Sequence, residues 1–217
     1  MRALHATTLA ITTSLAACSS TSGTSSSTPP DGGADGMAAA AAPSSTPITA
    51  VSVDAVYVVN GESSSISVID AASRAVLGTI ALQNVSYPHH INLSPDRSKL
   101  LVGVPGMDFS MGHNGGMAGM QGAVMVLDAT TGATVAARQL DAMNHNAIFS
   151  PDGTEVWTAL MSDPGSVLVL DPKTLATKQT IGVGSMPAEV TFSKDGKLAF
   201  VANGMSNNVT IIDERSS

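Results

Sequence analysis

The segment GMDFSMGHNGGMAGMQG, residues 106–122, sets Met107, Met111, Met117 and Met120 around His113, with six glycines among them. Thioether sulfur is a soft donor that selects Cu(I), and imidazole suits copper in either oxidation state. The Met-x-His and Met-x-x-Met spacings are short enough for one loop to wrap a single ion. Two further imidazole positions stand out, His89–His90 in PHHINLSPD and His145 in NHNAIFSPD. The same residues also fit a slack, low-charge loop, methionine being a common filler, and rim histidines bonded to backbone; both readings stay open. Other chemistries lack their residues. Cys18 is the single cysteine, so no zinc-cysteine cluster is possible. No G-x-S-x-G elbow or phosphate-binding lysine motif occurs, and GVGSMP, residues 182–187, is followed by no helix pattern. No carboxylate pair has an obvious acid/base setting, and DERSS at the end reads as a solvated tail.

The elements that must position these residues repeat. Apolar triplets ending in aspartate recur at Asp70, Asp128, Asp171 and Asp213, at spacings of 58, 43 and 42. Turn segments LSPDRSKLLV, FSPDGTEVWT and FSKDGKLAFV place Asp96, Asp152 and Asp195 at spacings of 56 and 43. Both markers keep a period of 42 to 43, and the long first interval carries about 13 extra residues, the Met/Gly/His stretch. Each period reads as an apolar strand, a tight Ser-Pro-Asp-Gly turn, a second strand, a polar loop, a third strand ending in aspartate, and a fourth strand. Four short antiparallel strands per repeat predict the blade of a β-propeller, a β-sandwich with coincidental spacing being the other candidate. The aspartates read as structural, accepting turn N–H groups, and Trp157 as packing.

VYVVNGESSSISVIDAASRAVLGTI (56–80) and LAFVANGMSNNVTIID (198–213) resemble the YVTN-type β-propeller repeat, over about residues 54–213. The resemblance implies a propeller and little about function, since such propellers host surface proteins, binding proteins and enzyme relatives. The first repeat lacks its innermost strand and the last its outermost. The expected fold is therefore all-β: a propeller of about four four-stranded blades, two complete and two partial, in an incomplete ring. The stop within a repeat reads as a chain truncated from a longer protein; a minimal four-blade ring and an assembly of two chains are the alternatives.

Blade connectivity sorts loops by face. The Ser-Pro-Asp turns share one face; the loops between second and third strands, the 106–122 insert among them, share the other. Counting five residues back from Ser94, Ser150 and Ser193 reaches His89, His145 and Ala188. The two histidines thus take one repeat position, at the top of the innermost strand, with His90 and Asn146 beside them and Tyr87, Met143 and Met186 two residues earlier. Insert and histidines should meet on one face near the axis. PHHINLSPD is similar to a local pattern of nitrous oxide reductase, which sets histidines at a propeller's channel mouth. The rest of that enzyme's ligands are not recognisable, and its activity is not carried over.

Residues 1–17 read as a signal peptide and are set aside from fold reasoning. LAAC, Leu15 to Cys18, resembles the bacterial lipoprotein signal. That resemblance implies acylation of Cys18, and the chains it implies exceed what stable anchoring needs. Ser19 after it resembles the form sorted to the outer membrane, facing the periplasm. Residues 18–50, rich in Ser, Thr, Pro, Gly and Ala, have the composition of a flexible tether, leaving 51–217 as the propeller domain. A net charge of −7 with 3% aromatics argues against a nucleic-acid partner. The expected function is a membrane-anchored extracytoplasmic binding protein, with a copper site formed from Met107, Met111, His113, Met117, Met120, His89, His90 and His145. The alternatives are a fragment of a copper- or quinoprotein-like oxidoreductase and a plain protein- or glycan-binding scaffold. Non-catalytic binding is preferred to an enzyme.

Overall fold

The computed structural model describes residues 46–48, 50–108 and 120–213. These all fall in the compact unit Ala41–Ser217. Cys18, Met111, His113 and Met117 lie outside the described residues. The described residues form fourteen strands and no helix. The first sheet holds β1 (Ala55–Asn60), β2 (Ser65–Asp70) and β3 (Val76–Ala81). The second holds β4 (His90–Leu93), β5 (Lys99–Val104), β6 (Ala123–Asp128) and β7 (Thr134–Gln139). The third holds β8 (Ala147–Phe149), β9 (Val156–Leu160), β10 (Gly165–Leu170) and β11 (Thr177–Val183). The fourth holds β12 (Pro187–Phe192), β13 (Leu198–Asn203) and β14 (Asn208–Asp213). Every pairing within a sheet is antiparallel between sequence neighbours. The architecture is that of two complete and two partial propeller blades in an open ring. The first sheet lacks the innermost strand and the fourth the outermost, as the repeat predicts.

The strand sequences account for the stacking. KLLVGV and AVMVLD are apolar at nearly every position, the pattern of strands buried on both faces. Alternate side chains go opposite ways: Leu100, Val102, Met125 and Leu127 pack on Ile66, Val68 and Ile80 of the first sheet. Leu101, Val124 and Val126 pack on Phe149, Val156 and Leu168 of the third. Trp157, Ala159 and Val167 in turn meet Val190, Ala199 and Val201 of the fourth. Trp157 is 1% exposed and meets the Phe192 ring edge-on, centroids 5.3 Å apart, which bears out a packing role. The outermost complete-blade strands, TVAARQ and TKQTIGV, are mostly exposed.

The inner turns are three copies of one hydrogen-bond unit. The hydroxyls of Ser94, Ser150 and Ser193 donate to Oδ1 of Asp96, Asp152 and Asp195 at 2.6, 2.6 and 2.7 Å. The same oxygens accept the backbone N–H of Ser98, Thr154 and Lys197. The fourth turn position is left-handed in all three, at φ 62° for Arg97, 74° for Gly153 and 69° for Gly196, so Arg97 occupies a conformation that favours glycine. At the outer turns Asp70, Asp128 and Asp171 accept the N–H groups two and three residues on. The structural reading of these aspartates therefore holds.

At the opposite loops, Asn60 Nδ2 donates to Ser65 and Ser67, and Asn203 Nδ2 to Asn208 and Thr210, stapling second strand to third. In the second sheet Val104 faces Ala123 at the equivalent register and carries no staple; the long insert leaves the sheet here. Thr46 to Ile48, within the segment read from sequence as tether, lie along β3: Pro47 forms a parallel bridge with Thr79. Ile48 N–H donates to Thr79 O at 3.1 Å, and Thr79 N–H to Thr46 O at 2.9 Å. That covers an edge otherwise open to pairing with another chain. Gly78 there has no room for a side chain, since a Cβ would lie 2.6 Å from Thr46 O.

The turn aspartates make stability pH-dependent. Hydrogen bonds from Ser94 and Ser98 hold Asp96 at about 2, and those from Ser193 and Lys197 hold Asp195 at about 2, against an ordinary 3.8. A hydrogen bond from Lys99, then one from Thr131, brings Asp128 to about 2. A folded-state value below the unfolded one gives stability that is present above 3.8 and is lost as pH falls toward 2. The urea midpoint should therefore fall steeply between about pH 4 and pH 2, and Asp195→Asn should flatten part of that slope; equal slopes for variant and wild type would contradict this account.

Candidate metal centre

Three imidazoles converge at the inner strands. β4 begins with His90, and His89 precedes it; His145 lies two residues before β8. His89 and His145 thus sit in the approach to the inner strands rather than on them. The approach is pinned by backbone bonds. His89 N–H donates to Gly103 O at 3.0 Å, and Met161 N–H to Met143 O at 2.8 Å. Gly103 also pairs with His90 across the sheet. A Cβ on Gly103 would lie 3.1 Å from Ala147 N and 3.2 Å from Asn146 Cα, so its bare backbone permits the close approach of the second and third blades. Tyr87 and Met186, both preceding proline, take φ of 55° and 51° as the chain bends onto the inner strand. Such a conformation is sparsely populated for a side-chain-bearing residue and persists where its surroundings enforce it.

The ring centroids of His89 and His90 and of His89 and His145 are 4.6 Å apart, and those of His90 and His145 are 4.8 Å apart, all mutually tilted. One ligand nitrogen from each ring can be chosen so that all lie within 4.8 Å of one another, and the three could hold a metal ion. Two nitrogens on one tetrahedral ion stand about 3.3 Å apart, from bonds of about 2.0–2.1 Å, so small rotations of the rings would close the set. His90 Nε2 is buried with no hydrogen-bond partner. It lies 3.4 Å from Glu189 Oε1, an ion-pair distance without hydrogen-bond geometry. An orphaned nitrogen in a cluster of imidazoles is what metal ligation would satisfy.

Burial favours the neutral form of His89 and His90. Burial lowers His89 to about 4, with the charges of His90 and His145 adding to the effect and Glu189 opposing it. Burial also lowers His90, opposed by Glu189 and reinforced by His145. Neutral imidazole is the ligating form, so near neutral pH these two rings do not have to lose a proton before binding an ion.

Glu189 is the group that the sequence reading passed over. In the fourth sheet Ala188 holds the repeat position of His89 and His145, and one residue on, β12 carries Glu189 at the repeat position of His90 and Asn146. Its Oε1 lies 2.6 Å from His145 Nδ1 and its Oε2 accepts from Asn146 Nδ2 at 2.5 Å. Asn146 Nδ2 also donates to Val190 O at 3.1 Å, and its Oδ1 accepts Val190 N–H at 3.2 Å. The signal was present in the aligned strands, but it required comparing residue roles rather than residue types.

Of the predicted ligands on the insert, Met107 is 8% exposed and shares a cleft of about 460 Å³ with Tyr87, His89, Glu62 and Asp108. The first residues of the insert and His89 therefore meet on one face. Met120, at the far end, is half-buried. The other three lie outside the described residues.

No protein-family model matches the chain, and no curated protein does. Among solved structures it is similar to Kuenenia stuttgartiensis hydrazine synthase, at 19% identity and a TM-score of 0.53, over 70% of this chain and 52% of that one. The chain thus spans about half the length of that structure. At this identity the likeness concerns fold alone, and it agrees with blades of an incomplete propeller.

Asn146 couples site and framework. Asn146→Ala should cost about 1–3 kcal/mol in denaturant unfolding, because Val190 N–H would be buried without a partner; a loss below about 0.5 kcal/mol, the level of an ordinary surface change, would show that the clamp is dispensable.

Proposed function

We propose that this chain is a lipid-anchored, extracytoplasmic propeller of the YVTN-repeat type that binds a metal ion at His89, His90 and His145, and that the ion is copper. The observation that carries the metal reading is the convergence of three imidazoles around a buried, unpartnered His90 Nε2. Copper is favoured over other ions by what surrounds them. Met107 borders the same cleft as His89, and the Met-x-His and Met-x-x-Met spacings continue along the insert through Met111, His113, Met117 and Met120. Thioethers beside imidazoles suit copper through both oxidation states, whereas zinc gains little from sulfur of that kind. The cleft beside His89 is where an ion would be reached from solvent.

The test is metal titration of purified residues 46–217 with Cu(I), Cu(II) and Zn(II). One equivalent of copper should be retained, and His145→Ala should lower its affinity by more than about tenfold, a loss typical of residues that merely orient ligands. Replacing Met107, Met111, Met117 and Met120 together by leucine should weaken Cu(I) selectively. Retention of no ion would leave a protein- or glycan-binding scaffold.

Support for the anchor is the LAAC sequence followed by a Ser/Thr-rich stretch. Two acyl chains already hold a protein stably at a bilayer. Cys18→Ser should move the protein expressed in a bacterial envelope from the membrane to the soluble fraction; unchanged partitioning would defeat the lipid assignment.

A further inference from the structure

We propose that Glu189 is the positioning residue of this centre: it accepts a hydrogen bond from His145 Nδ1, turns Nε2 of that ring to the ion, and sets one negative charge beside three imidazoles. The inference rests on the metal reading above and adds to it a residue and an assignment of nitrogens.

The atoms dictate the tautomer. An ionised carboxylate only accepts hydrogen bonds. At 2.6 Å from Glu189 Oε1, His145 Nδ1 must therefore be the donor. In the neutral form of the ring that is its one proton, and Nε2 of His145 then carries the lone pair. Carboxylate–histidine–metal arrangements use this device to fix the ring and raise its basicity. Glu189 does not swing freely, because Asn146 holds its other oxygen and is itself bonded to both backbone polar groups of Val190. The same Oε1 lies 3.4 Å from His90 Nε2 without bonding it, so that nitrogen remains available.

The repeat explains how the set arises. One strand position supplies His89, His145 and Ala188, and the next supplies His90, Asn146 and Glu189. Stacking three blades brings together ligands, an amide clamp and a carboxylate from what is one site in the repeat. Glu189 is the one acidic side chain among these six residues, so a divalent ion gains more from its carboxylate than a monovalent one.

The test combines nitrogen-15 NMR of the histidine rings, without metal, with titrations of Cu(II) and Cu(I) for the wild type, Glu189→Gln and Glu189→Ala. Wild-type His145 should carry its proton on Nδ1. Glu189→Ala should move it toward Nε2, the form favoured in water, and lower Cu(II) affinity by about 10- to 100-fold. Glu189→Gln offers a carbonyl oxygen in nearly the same shape. It should restore the tautomer but not the charge, giving an intermediate loss for Cu(II) and a smaller one for Cu(I). A wild-type Nε2 proton would overturn the assignment. Unchanged tautomer and affinity in both variants, with copper lost in His145→Ala, would overturn the role of Glu189 while the metal reading stands. The expected tautomers with no copper retained by the wild type would overturn the metal reading and leave Glu189 setting the ring.

Discussion

A strand of this protein that is apolar on both faces has to be covered on both, and that requirement governs everything else. β5 and β6 send alternate residues to the first and third sheets, so the second blade buries both of its faces only between its two neighbours. The same constraint leaves the outer faces of the terminal sheets uncovered: Val56 and Val58 on β1, and Val209 and Ile211 on β14, are all more than 40% exposed. Among the described residues the first sheet packs on the second and the fourth on the third, with no extended contact between first and fourth.

Blade stacking also creates the chemistry. Inner strands from adjacent blades approach until the missing side chain of Gly103 matters, and three rings from two blades are then packed close enough to repel each other's charge. Burial and that mutual repulsion hold His89 well below its ordinary value. Glu189, from a third blade, supplies the opposing charge. A centre built this way draws its rigidity from backbone pairing: His89 N–H bonds to Gly103, and Asn146 bridges to Val190.

Much of this was legible in the residues. The period located all four sheets and which strand each terminal sheet lacks, because turn chemistry marks the strand ends: Ser94, Ser150 and Ser193 bond the same aspartate position in three copies. Counting back from those serines placed His89 and His145 at one level. Glu189 was missed because a carboxylate shares no residue type with histidine, and its role depends on the neighbouring blade rather than on its own repeat. The run of Thr46 to Ile48 along β3 was hidden for a similar reason, as a Pro/Thr-rich stretch carries no alternation to betray it.

By itself, the amino-acid order determined strand number, blade connectivity and which loops share a face, because period-two apolar patterns and left-handed turns are local properties that the chain states residue by residue. Only the tertiary structure decided that His89, His90 and His145 face one another, that His90 Nε2 is left unpartnered and that Glu189 reaches His145. Those facts depend on the distance and rotation between blades, which are set by side-chain packing across Leu101, Val124, Phe149 and Val156, and no single repeat encodes them.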